Sequence, residues 1–248
     1  MAALPAVFVE RDAATLAAAT AARLVRTIGA ALAERPVAHV AITGGGILEK
    51  VIAALPDAGE VDWRRVHLWW GDERWVAAGS ADRNDRAAFA AGLDRLDLDA
   101  GLVHPMPSTD SGFPDAEAAA EAYATTLAGA ADSGQVPQFD AVLLGLGPDG
   151  HCASLFPHHP GTKVLDRSVT AVHDSPKPPP TRLSLTFPTL DTATEVWFVA
   201  SGAGKADAVA MAVHGTDREA VPSSGPKGTE RTLWLLDPEA AARLPGDR

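Results

Sequence analysis

The sequence is short of cross-links, of positive charge and of long apolar runs. There is one cysteine, Cys152, in 248 residues, so no internal disulfide can form and nothing in the cysteine usage points to an oxidising compartment. Lys and Arg total 21 against 32 Asp and Glu, a net charge of -11. Such an acidic chain is repelled by nucleic acid and by anionic membranes, which argues against either as a partner. The Ala-rich N-terminal stretch has only ten uncharged residues between Asp12 and Arg23, where a membrane helix needs ~20. No basic segment precedes it as a secretory signal requires. These absences predict a cytoplasmic protein, and with no heptad or unusual apolar stripe no obligate protein partner is evident.

Apolar residues make up 46% and charged residues 21%, the proportions of a soluble globular protein able to bury a sizeable core. Helical and extended patterns alternate throughout, as in a mostly parallel sheet covered by helices. Asp12 is placed to cap a helix ending near Pro36. Strands are expected at Val37 to Thr43, His67 to Trp70, Phe139 to Leu144, Val169 to Val172, Leu183 to Phe187, Val196 to Ala200 and Thr232 to Leu236. Ser175 to Pro180 reads as a rigid extended stretch, and Val221 to Gly228 as a mobile surface loop. Residues 1–248 read as one domain, with a lid-like insertion around 77–115 as the candidate departure.

Three polar clusters follow apolar strands: Gly44-Gly45-Gly46, Gly71-Asp72-Glu73-Arg74, and Gly145-Leu146-Gly147-Pro148-Asp149-Gly150-His151. Ligands bind at such strand ends in open parallel sheets. The third cluster satisfies G-x-G-x-x-G, yet Pro148 lies within it, and Pro157 and Pro160 prevent the long helix a dinucleotide needs. A plain turn would explain its glycines but not Asp149 and His151 beside them. Gly202-Ala203-Gly204-Lys205 fails as a nucleotide loop, with Val199 for the first Gly and Ala206 for the Ser or Thr. What survives is a set of helix-start amides plus one ammonium, enough for a single phosphate; the alternative is a surface lysine after a capped turn. His151, Cys152, His158 and His159 lack metal-ligand spacing, so no metal is expected. No Gly-x-Ser-x-Gly elbow exists for acyl-enzyme chemistry. Asp72, Glu73 and Arg74 are either a solvated ion-pair loop or a carboxylate and guanidinium aimed at a ligand.

Four segments, in this order, resemble the 6-phosphogluconolactonases: Thr43 to Gly46, Trp70 to Arg74, Gly145 to Pro157 (Gly-Leu-Gly-Pro-Asp-Gly-His-Cys-Ala-Ser-Leu-Phe-Pro), and Ser175 to Pro179 followed by Arg182. The resemblance spans roughly residues 35 to 215. It implies a Rossmann-like α/β fold with helices on both faces, similar to the glucosamine-6-phosphate deaminases, and hydrolysis of 6-phosphoglucono-δ-lactone to 6-phosphogluconate without a cofactor. The implied partner is that phosphorylated sugar lactone alone. Carried over, His151 matches the general base that takes a proton from the attacking water, a task suited to neutral imidazole, whose ordinary pKa is about 6.5. Asp72 is the implied helper, orienting His151 or the sugar hydroxyls. Arg74 is implied to bind a substrate oxygen or the phosphate, Gly44, Gly45, Gly46, Arg182 and Lys205 to surround the phosphate, and Asp149 and Lys177 to contact substrate. The deaminases of the same superfamily are the runner-up, followed by a non-catalytic sugar-phosphate sensor. Deaminases carry an acidic residue and an asparagine where this chain has Cys152 to Pro157, and a tyrosine in place of Arg74. Both departures favour the lactonase.

Overall fold

The computed structural model describes residues 5–245 apart from 133 and 135. Its elements run β1 (Ala6–Val9), α1 (Ala13–Glu34), β2 (Ala38–Ile42), α2 (Gly46–Ala54), β3 (Val66–Trp70), β4 (Asp72–Arg74), α3 (Asn84–Ala91), β5 (Val103–His104), α4 (Ala116–Gly129), β6 (Ala141–Gly145), β7 (Val169–Val172), β8 (Arg182–Leu185), α5 (Phe187–Leu190), β9 (Glu195–Ala200), α6 (Ala206–His214) and β10 (Arg231–Leu236).

A seven-stranded sheet in the order β1-β10-β9-β6-β2-β3-β5 forms the centre, parallel at each pairing. β2 and β9 are buried at every residue, which is why they read as continuous apolar runs and not as alternating ones. The two faces carry different helices. Val40 and Ile42 meet Leu24 of α1 and Leu48 of α2 around a small apolar void of about 20 Å³. On the other face Trp69 packs edge-on against Tyr123 of α4 at 6.1 Å. The Rossmann-like α/β reading therefore holds.

The start of α1 is set as expected: the Asp12 carboxylate accepts from Thr15 N at 2.7 Å, satisfying one of the amides a helix start leaves without an intrahelical partner. By length and composition this helix is apolar enough to cross a membrane, but here Leu16, Leu24, Val25 and Ile28 recur at helical spacing and are buried in the core. Such burial returns about 1.5–3 kcal/mol for each large apolar side chain.

The structure differs from the sequence reading in several places. Asp72 to Arg74 is not a loop but strand β4, which pairs antiparallel with β8 in a second sheet of order β4-β8-β7. The expected strands at Val169 and Leu183 thus exist, but outside the main sheet. Val221 to Gly228 is packed, not a loose surface loop: Pro222, Ser223 and Ser224 are buried, and Ser223 N donates to Gly150 O at 2.9 Å. Ser175 to Pro180 folds back on itself, with Ser175 N donating to Pro180 O at 2.9 Å. Residues 77–115 supply α3, which packs on α2, and β5, which closes one edge of the main sheet.

Candidate active site

In the main sheet β3 lies on one side of β2 and β6 on the other, so the chain reverses its winding at β2, the position where open α/β sheets open a crevice. A cleft of about 520 Å³ occupies that place, lined from the carboxyl ends of β2, β3, β6 and β9. Thr43 staples its two sides. Its Oγ1 donates to Leu143 O at 3.2 Å and accepts from Gly145 N at 3.0 Å. Lys50, Arg74, Lys177, Arg182 and Lys205 line the cleft against one carboxylate, Asp72. In a chain of net charge -11 this is the basic concavity a small anion needs.

His151 stands at one wall, on the loop leaving β6. Its Nδ1 lies 2.5 Å from Asp149 Oδ1, so Nδ1–H donates to the carboxylate and Nε2 keeps its lone pair. Lys177 Nζ approaches the same pair, 3.3 Å from His151 Nδ1 and 3.5 Å from Asp149 Oδ1. Burial by itself raises the Asp149 carboxyl, but its hydrogen bond to His151 and its electrostatic attraction to His151 and Lys177 outweigh that and hold it well below the usual carboxylate range. Gly147 is required by this geometry: a Cβ there would overlap the His151 ring and the Asp149 carboxylate. Phe156 backs the imidazole, with ring centroids 4.6 Å apart.

Asp72 makes no hydrogen bond to His151 among the described residues; the carboxylate bonded to His151 is that of Asp149. Asp72 Oδ2 accepts from Ser154 Oγ at 2.7 Å, and Asn84 Nδ2 donates to the Asp72 backbone oxygen at 2.9 Å and lies 3.4 Å from Oδ1. The carboxylate is buried and held by neutral donors, so it presents acceptor oxygens to a ligand. Arg74 lines the same end, with Nη1 donating to Asp82 O at 2.6 Å and a buried Nε that has no partner among the described residues.

The other end is rich in amides and ammonium. α2 begins at Gly46 after Gly45, with no side chain capping its N-terminus, and its first amides face the cleft where the helix dipole favours an anion. Lys205 Nζ reaches in from the far side and donates to Leu146 O at 2.6 Å. Burial, and after it the charge of Lys177, lowers its pKa. The amides around Gly204 are not the cradle the sequence suggested. Gly202 N is bound by the Asp237 carboxylate at 3.0 Å and Ala203 N by Glu239 at 3.2 Å, which leaves the Lys205 ammonium as the main contribution of this turn. Arg182, which the sequence placed at the phosphate, is buried in β8 and lines the cleft. Its Nε donates to Pro179 O at 3.2 Å, and its Nη2 donates to Lys177 O at 3.0 Å and Pro178 O at 3.2 Å. Arg182 therefore braces the loop that carries Lys177.

Of the candidate site residues, Gly44, Gly45, Gly46, Asp72, Arg74, His151, Lys177, Arg182 and Lys205 line the cleft and Asp149 joins them through His151; Lys50 and Asn84 add to the lining, and Ser154 adds a partner for Asp72. Lys50 was legible, lying four residues after Gly46 on the cleft-facing side of α2. Asn84 and Ser154 carried no motif of their own. Among the described residues no group of three or more His, Cys, Asp or Glu is arranged to hold a metal ion.

A carboxylate-held imidazole facing a cationic cleft defines an acid–base site for a small anionic substrate. Residues 11–234 match the family model described as glucosamine-6-phosphate isomerases/6-phosphogluconolactonase. The chain is 48% identical to a 6-phosphogluconolactonase of Streptomyces coelicolor, covering 97% of this chain and 95% of that protein. It is also 48% identical to one of Mycobacterium tuberculosis, over 94% of this chain and 96% of that protein. A solved 6-phosphogluconolactonase from Trypanosoma brucei superposes with a TM-score of 0.84 at 30% identity, over 97% of this chain and 99% of that one. The chain belongs to the glucosamine-6-phosphate isomerase/6-phosphogluconolactonase family.

Proposed function

We propose that this chain hydrolyses 6-phosphoglucono-δ-lactone to 6-phosphogluconate, with His151 as general base. The observation that carries the reading is the Asp149–His151 pair at 2.5 Å on the wall of a cleft lined by five basic side chains. The similar proteins named 6-phosphogluconolactonase support the substrate. With Nδ1–H given to Asp149, the free Nε2 removes a proton from water as its oxygen attacks the lactone carbonyl carbon. The carbonyl electrons move to oxygen and are stabilised by nearby cations, Arg74 or Lys177. The tetrahedral intermediate then expels the ring oxygen, which takes the proton back from His151 and becomes a hydroxyl. The new acid ionises to a carboxylate. In this arrangement the phosphate lies against the Gly44 to Gly46 amides and Lys205, with Lys50 at the rim, and Asp72 accepts from a sugar hydroxyl.

Cytoplasmic residence is part of the same proposal; the single, buried Cys152 supports it. A coupled assay tests the reaction: the lactone is generated enzymatically and 6-phosphogluconate formation is followed. Acceleration over the spontaneous rate is expected, and a rate equal to the spontaneous one would overturn the proposal. Glucosamine 6-phosphate should release no ammonia under the same conditions.

A further inference from the structure

One buried carboxylate beside the cleft has no part in the chemistry above. Glu73, on β4 between Asp72 and Arg74, is fully buried. Its Oε1 accepts from Arg74 N at 2.8 Å and from Asn84 N at 2.7 Å, its Oε2 accepts from Asp85 N at 2.9 Å, and Arg83 Nη2 lies 3.8 Å away. The amides of Asn84 and Asp85 open α3, whose own preceding residue, Arg83, offers no side-chain cap. Glu73 is thus a cap supplied from another element, with its negative charge at the positive end of the helix. Burial pushes its pKa up to about 7, while the Asn84 and Asp85 amides and Arg83 favour the charged form.

The cap fixes the residue at the head of α3. Asn84 is buried, and on one side its Nδ2 donates to the Asp72 backbone oxygen at 2.9 Å and lies 3.4 Å from Asp72 Oδ1. On the other side its Oδ1 is pressed against Gly44, so closely that a Cβ on Gly44 would overlap it. One side chain therefore spans from the carboxylate at the sugar end of the cleft to the glycine loop at the phosphate end. We infer that Asn84 is a positioning residue that sets Asp72 and the Gly44–Gly46 loop relative to one another, and that Glu73 holds it in place through the N-terminus of α3. This rests on the lactonase reading for the ligand that spans the two ends.

The test compares wild type with Asn84→Ala, Glu73→Gln and the double variant. The readouts are kcat and KM on the phosphorylated lactone, calorimetric Kd for 6-phosphogluconate, and thermal melts. Asn84→Ala leaves the Glu73 cap intact because that cap uses only backbone amides. It should raise KM and Kd together by about ten- to a hundredfold, the worth of contacts to a charged group. Turnover should stay within about threefold, because the Asp149–His151 pair rides on a different loop and only binding is weakened. Glu73→Gln should act in the same direction, and the double variant should be no worse than Asn84→Ala, since both act through one side chain. A fall in kcat with KM and Kd unchanged would mean a merely structural role and overturn the inference, as would full additivity. Were wild type itself to leave the lactone at its spontaneous rate, the lactonase reading would fall. The calorimetric comparison, repeated with inorganic phosphate, would still decide the role of Asn84.

Discussion

At the scale of single residues the wall carrying His151 and the end carrying Lys205 can be separated by substitution. His151→Ala should lower kcat by about 10² to 10⁴, the usual worth of a positioned general base; near-wild-type turnover in a folded variant would remove His151 from the role. Asp149→Asn keeps the shape but loses the charge that fixes the tautomer, so kcat should drop by about tenfold or more with KM little changed. Lys205→Ala should raise KM for the phosphorylated lactone by about 10- to 100-fold, as expected for one charge-assisted contact, and leave the slow hydrolysis of unphosphorylated gluconolactone unaffected. Arg182→Ala should behave differently, because Arg182 holds three carbonyls of the loop behind Lys177. Its loss should impair both lactones alike, and a defect confined to the phosphorylated one would make it a phosphate ligand after all.

At the scale of elements, the sequence disclosed those parts whose chemistry is local. Asp12 announced α1, apolar runs marked β2, β3, β6, β9 and β10, and glycine clusters marked the loops after them, so the strand-end position of the cleft was legible. β4 was not, because Asp and, to a lesser degree, Glu have poor strand propensity; Asp72 to Arg74 forms a strand because β8 pairs with it and Glu73 finds three amides. β1 and β5 were missed because four residues and two carry too little pattern. Asn84 was hidden for a related reason: its partners, Asp72 and Gly44, are distant in sequence, and no spacing rule joins them. Gly147 could be read only as a turn glycine, whereas its place in the structure is a steric one. Gly147→Ala should therefore displace the imidazole and lower kcat far more than an ordinary Gly to Ala change in a turn. Retained turnover would show that the loop can yield around the added methyl.

Across the whole molecule, acid should loosen the sheet at the face opposite α1 and α2. His39, His67 and His104 stack across β2, β3 and β5, with ring centroids 4.4 Å and 5.1 Å apart in succession, and Trp69 Nε1 donates to His39 Nδ1 at 3.2 Å. Burial, with the neighbouring His67, lowers His39 to about 3 and His104 to about 4, and burial lowers His67. Above the ordinary imidazole pKa of 6.5 both folded and unfolded chains are neutral at these sites and stability is undiminished. As pH falls from there towards 4, the unfolded chain takes up protons that the folded one refuses, and stability is lost. Urea unfolding at neutral pH and at about pH 5 should show this decline, and His104→Gln should flatten it. A wild type equally stable at both values would contradict the stacked arrangement as an acid-sensitive element.

The five basic side chains of the cleft also bear on how the reaction ends. Ring opening converts a neutral ester into a carboxylate, so the product leaves with one more negative charge than the lactone brought. A concavity lined by Lys50, Arg74, Lys177, Arg182 and Lys205 therefore grips what it has made more firmly than what it receives, and only the acidic exterior of the protein draws the balance back. Departure, not arrival, is the step that salt should help. 6-Phosphogluconate should compete with the lactone, and its inhibition constant should rise more steeply with ionic strength than KM does, because the extra charge is the part that counterions screen. Equal salt dependence of the two would show that the carboxylate, once formed, already faces water and feels none of the cations that surrounded the ester.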